Sequence, residues 1–98
     1  MSGAFAVEVL PNTTAMVGLP PPNGTGVVQF GQVFLSLASD FDGATVRLAI
    51  GNPNSWRIFD DLNVPAGRQD VYELENTDQV ASIINNGPQP VSVLIEYQ

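Results

Sequence analysis

Val91-Ser92-Val93-Leu94-Ile95-Glu96-Tyr97 decides the fold. Val91, Val93, Ile95 and Tyr97 take every second position, with Ser92, Leu94 and Glu96 between them. Successive side chains of an extended chain point to opposite faces, so this spacing predicts a strand with one apolar face. The stretch before it, Asn85-Asn86-Gly87-Pro88-Gln89-Pro90, is dense in residues that favour turns.

The same period recurs along the chain. Working outward, strands are predicted over Gln79 to Ile84, Gln69 to Glu75 and Ser55 to Leu62. Ser55 to Leu62 places Trp56 and Ile58 on one side, with Arg57 and Phe59 on the other. Ala44 to Ile50 puts Val46, Leu48 and Ile50 inward and Arg47 outward. Gly26 to Ala38 is apolar on both faces from Val33 onward, which suits a strand covered on both sides or two strands bent near Gly31. Thr13 to Leu19 and a first strand carrying Phe5, Val7 and Val9 complete the set. Turn clusters separate them: Asp40-Phe41-Asp42-Gly43, Gly51-Asn52-Pro53-Asn54 and Val64-Pro65-Ala66-Gly67.

Seven or eight short strands at this spacing predict an all-β, antiparallel sandwich. The chain has no cysteine pair and a single tryptophan, so the landmarks of an immunoglobulin domain are missing and a jelly-roll-like order fits better. Residues 27–98 are expected to form the sandwich core. Residues 1–26 are expected to add an N-terminal strand and the Pro20-Pro21-Pro22 arm to the same domain.

Charge is the second informative feature. Of 98 residues, three are Arg and ten are Asp or Glu, a net charge of −7, with no Lys, His or Cys. The polar surface must come mainly from eight Asn, six Gln, six Ser and five Thr. Three scattered cations cannot neutralise a phosphate backbone or an anionic membrane surface, so neither nucleic acid nor membrane is an expected partner. Without His, Lys or Cys the nucleophile and base chemistries reduce to carboxylates and hydroxyls, and Asp60-Asp61 cannot face a common substrate from one strand. The chain is therefore expected not to be an enzyme, and no cofactor or metal is expected. Asp40-Phe41-Asp42-Gly43 resembles the start of a calcium loop, but the twelfth position is Gly51 rather than Glu, so the motif reads as an Asp-Gly hairpin turn.

The candidate interaction residues are Pro20, Pro21, Pro22, Trp56 and Arg57. Exposed beside Arg57 or Tyr72, Trp56 could stack on a sugar ring; its ordinary reading is a core residue of an alternating strand. Arg47, Arg57 and Arg68 are expected in local ion pairs. Asn12-Thr13-Thr14 and Asn23-Gly24-Thr25 match the glycosylation acceptor pattern, which in a chain this rich in Asn and Thr reads as coincidence. Met1 to Phe5 lacks a basic leader, so no signal peptide is expected and the location is virion or cytoplasm.

Long lysines and acids are depleted where protein meets protein, so a surface this poor in both suits extensive contact. The tail Thr77-Asp78-Gln79-Val80-Ala81-Ser82-Ile83-Ile84-Asn85-Asn86-Gly87, with Pro90-Val91-Ser92-Val93-Leu94-Ile95-Glu96-Tyr97, resembles small virion structural proteins of tailed bacteriophages, of the head-decoration or tail-module type. That resemblance implies a non-catalytic structural domain, a homo-oligomer with a trimer favoured, docked on copies of itself or on a capsid or tail protein. The proline arm would then reach a neighbouring subunit. The alternative is a carbohydrate-binding β-sandwich using Trp56.

Overall fold

The computed structural model describes residues 3–19, 32–67, 69–75 and 77–97. The Pro20–Pro22 arm, Asn23-Gly24-Thr25 and Arg68 fall outside them. Eight strands occupy the described residues: β1 (Gly3–Val9), β2 (Thr13–Gly18), β3 (Val33–Ala38), β4 (Ala44–Asn52), β5 (Ser55–Val64), β6 (Gln69–Glu73), β7 (Val80–Asn85) and β8 (Val91–Tyr97). They form two four-stranded antiparallel sheets, ordered β1-β8-β3-β6 (sheet A) and β2-β7-β4-β5 (sheet B). Consecutive strands mostly change sheet, and the last strand lies beside the first. This is the double Greek key of a jelly roll, as the strand count and turn spacing predict.

The alternation read from the sequence is the alternation of burial. In sheet A, Leu35 faces Ile95 and Leu37 faces Val93 across β3 and β8, and all four are buried. In sheet B, Leu48 faces Ile83 and Ile50 faces Ala81 across β4 and β7, again all buried. These two inner layers meet with Val9, Val33, Val46, Val64 and Val91 to fill the space between the sheets. β3 is central, so its inner face is sealed and its outer face (Phe34, Ser36, Ala38) is at least half-buried.

Asp40–Gly43 departs from expectation. It does turn the chain, with Gly43 at φ 88° and Ser39 Oγ accepting the Phe41 N–H. However, it joins β3 in sheet A to β4 in sheet B, so it is an inter-sheet corner and not a hairpin. The flanking strands take other partners: β3 pairs with β6 and β8, β4 with β5 and β7. Asp42 Oδ1 accepts the Ala66 N–H, tying this corner to the β5–β6 connection.

One buried amide ties the two sheets at the same end of the sandwich, beside the start of β4. Asn85 is 1% exposed; its Nδ2 donates to Val9 O at 2.9 Å and to Gln89 O at 2.7 Å, and its Oδ1 accepts the Gly87 N–H. Both donors, and the acceptor, are thus used inside the protein. Asn85→Ala leaves two carbonyls and one N–H without a partner, so it is expected to cost about 2 kcal/mol in a urea melt. An unchanged midpoint would show that water replaces the amide.

Candidate functional site

The deep interior is not a site. Leu35, Leu37, Leu48, Ile50, Ile83 and Ile95 fill it, and each is under 2% exposed. Every buried side-chain nitrogen or oxygen among the described residues has a hydrogen-bond partner. Among those residues no three His, Cys, Asp or Glu come together to hold a metal ion. Chemistry is therefore confined to the ends, faces and edges of the sandwich.

The most structured polar group lies at the end of the β4–β5 hairpin. Asn52 and Ser55 flank its two-residue turn, with the Asn54 N–H donating to Asn52 Oδ1. Just before it the register shifts between Ile50 and Gly51, leaving Arg57 as the extra residue of a bulge. The bulge aims Arg57 at the segment between β6 and β7. There Nη2 donates to Asp78 Oδ2 at 2.6 Å and Nε to Oδ1 at 3.0 Å, while a second Nη2 bond reaches Glu73 O. Glu75 Oε2 lies 3.6 Å from Nε. Asp78 is buried, and its Oδ2 also accepts the Glu75 N–H, so it fastens its own loop as well as the arginine.

The hydrogen bonds to Asp78 hold the Arg57 guanidinium even more firmly protonated than usual, and they outweigh the opposing effect of burial. Gln79 completes the group: its N–H donates to Gly51 O, its carbonyl accepts the Leu19 N–H, and its Oε1 accepts from Asn52. Together Gly51, Asn52, Ser55, Arg57, Thr77, Asp78 and Gln79 line an open depression of about 620 Å³. Arg57, named from sequence as an interaction residue, thus has its charge neutralised by its neighbours.

Trp56 does not join this depression. It sits on the opposite side of β5 from Arg57, half-buried and outside the core cluster. The core reading of Trp56 therefore does not hold. β5 is an edge strand, and the residue facing Trp56 across the ladder is Gly51, which offers no side chain to pack against.

The outer face of sheet B is the second candidate. Register places Met16, Ser82, Ala49 and Phe59 in one row across β2, β7, β4 and β5, and Thr14, Ile84, Arg47 and Asp61 in the next. Met16 is 60% exposed, Phe59 58% and Ile84 37%. Arg47 donates to Asp61 Oδ1 at 2.9 Å and lies 5.7 Å from the centre of the Phe59 ring. Its hydrogen bond holds the Asp61 carboxyl below the usual carboxylate range. Arg47 and Arg57 thus both carry ion pairs, as expected. The face carries three exposed large apolar side chains around small residues, with its one cation already paired.

Sequence reasoning missed Asp78 and Asn85 as organising residues. Both lie in stretches that read as polar loop, and the partner that ties each to another element is far along the chain: Arg57 for Asp78 and Val9 for Asn85.

No protein-family model and no curated protein matches the chain. Solved structures do resemble it. A de novo designed double-stranded β-helix aligns over 98% of this chain and 99% of its own, at 13% identity and a TM-score of 0.55. A protein with a double-stranded β-helix domain from Klebsiella pneumoniae aligns over 98% of this chain and 65% of its own, at 15% identity and a TM-score of 0.55. A protein of Bacillus endospore appendages, described as forming disulfide-linked pili, aligns over 100% of this chain and 87% of its own, at 10% identity and a TM-score of 0.53. At these identities the likeness is one of fold, and the fold is the jelly-roll, double-stranded β-helix sandwich that the strand order spells out.

Proposed function

We propose that this chain is a non-catalytic assembly domain, which packs against copies of itself and against a larger protein shell. The observation that carries this reading is the outer face of sheet B. Met16, Phe59 and Ile84 are exposed there around Ser82 and Ala49, with few charges to keep another protein away. The filled interior supports it, because recognition is left to outer surfaces. The jelly roll has a structural use in the spore-appendage protein, although this chain has no cysteine for a disulfide link of that kind. The resemblance in the C-terminal half directs the proposal towards a virion component such as a capsid decoration protein.

The test is solution mass by light scattering across a wide concentration range. A multiple of the chain mass is expected, with three copies the number that the phage resemblance implies. A single-chain mass at millimolar concentration overturns the reading.

The depression beside the β4–β5 turn favours a second reading. Its amide and hydroxyl side chains, Asn52, Ser55, Thr77 and Gln79, are groups that hydrogen-bond sugars, while Trp56, the sugar platform suggested by the sequence, lies outside it on the other side of β5. Glycan-array binding by a strictly monomeric protein would replace the assembly reading with a carbohydrate-binding one: loss in Asn52→Ala places the sugar in the depression, and loss in Trp56→Ala places it on the tryptophan.

A further inference from the structure

The four edge strands of the sandwich are not equivalent. On one side lie the edges β5 and β6. β5 carries Arg57, Asp60 and Asp61 and a bulge; β6 is five residues long and carries Asp70 and Glu73. Short length, charge and bulges are the devices that keep a sheet edge from pairing with another chain. On the other side lie β1 and β2, which contact each other across the two sheets. β2, Thr13–Gly18, has no charge and no proline. β1, Gly3–Val9, has Glu8 as its sole charge and pairs with β8 without a register shift. Ala4, Phe5 and Ala6 are exposed on it, and Leu10 and Met16 stand exposed on the same side.

We infer that the β1 edge is a strand-pairing surface, occupied by β1 of a second copy running antiparallel about a two-fold axis at Ala6. This rests on the assembly reading above, and as a two-fold contact it makes the number of copies even, two rather than the three that the phage resemblance implies.

The strand is self-complementary in that register. Ala6 is its midpoint, so pairing there engages all seven residues. Phe5 then faces Val7 of the second copy, an aromatic and a β-branched side chain on the inner face. Ala4 faces Glu8 of the second copy on the outer face, so the two glutamates never oppose each other. The same axis brings β2 towards β2 of the second copy, so both open edges are covered by one operation. Seven residues at about 3.4 Å each, and two sheets about 10 Å apart with their side chains, give a side wall roughly 24 Å by 20 Å. That is about 500 Å² per copy and about 1,000 Å² in total, at the lower limit for a specific interface, so a weak, concentration-dependent dimer is expected.

The chain has no cysteine, so Ala6→Cys introduces a single thiol. Opposed residues at the axis have Cα atoms about 4.5–5.5 Å apart, within disulfide reach. Mild oxidation of the full-length variant is expected to give a covalent dimer. Ala4→Cys, whose two copies would lie roughly 14 Å apart, is expected to give none. Ala4→Lys, opposite Glu8 of the second copy, is expected to tighten the dimer about fivefold in sedimentation equilibrium, and Ala4→Glu to weaken it about fivefold. Oligomers that form but do not respond to these four changes overturn the edge contact and leave the assembly reading standing. A monomeric wild-type chain overturns both.

Discussion

Asp78→Ala is expected to lower the unfolding free energy by about 3 kcal/mol, the low end of what breaking a buried ion pair costs. The low end applies because the Arg57 side chain is 29% exposed, so water can recover part of its charge once the partner is gone. Asp78 itself has a fully buried side chain and three dependants: the Arg57 Nε, the Arg57 Nη2 and the Glu75 N–H. Alanine removes the acceptor for all of them and frees the β6–β7 segment from the β4–β5 hairpin. In a domain of this length the loss corresponds to a fall in Tm of roughly 12–24 °C. Asp78→Asn keeps an oxygen for the Glu75 N–H while discarding the charge, so an intermediate loss is expected. Urea and thermal melts check both variants. A midpoint for Asp78→Ala close to wild type would mean that Glu75, 3.6 Å from Arg57 Nε, takes over the arginine.

The strands of this fold were legible because they are short and alternate strictly. Val91, Val93 and Ile95 are inward and buried, as the C-terminal period predicts. Their order was less legible. Asp40–Gly43 has the residues of a hairpin turn, but the same backbone chemistry serves a corner between sheets, and only the pairing of β3 with β8 and of β4 with β7 separates the two. The expectation of ion pairs for Arg47 and Arg57 followed from ten carboxylates competing for three cations. Which carboxylate each would take did not follow. Asp61 lies across a ladder from Arg47, whereas Asp78 is 21 residues from Arg57 and meets it only because a bulge redirects the arginine. A bulge is one extra residue in a register, and neither strand alone reveals it. Trp56 fails for the same reason: alternation puts it on the inward side with Ile58, but the extra residue of the bulge sets it opposite Gly51 on the outward side, where the glycine offers no side chain to pack against.

Gly51 is the residue on which that bulge depends, and Gly51→Ala is expected to cost about 3–4 kcal/mol. Two independent penalties add. Its φ of 142° lies in a region that side chains rarely adopt. A Cβ there would also stand 2.7 Å from Arg57 N and 3.1 Å from Ser55 O. Both are backbone atoms, so no rotamer change relieves the contact; the β5 strand itself must move. Movement of Arg57 N carries the guanidinium away from Asp78, so the substitution also weakens the ion pair it never touches. The two variants are therefore coupled. The double variant Gly51→Ala with Asp78→Ala is expected to lose less than the sum of its parts by about 1 kcal/mol or more, since an arginine already displaced has less to lose. Chemical denaturation of the four proteins of this cycle measures the coupling directly. Strict additivity would show that the bulge and the Arg57–Asp78 pair are held separately, and that Gly51 serves the turn alone.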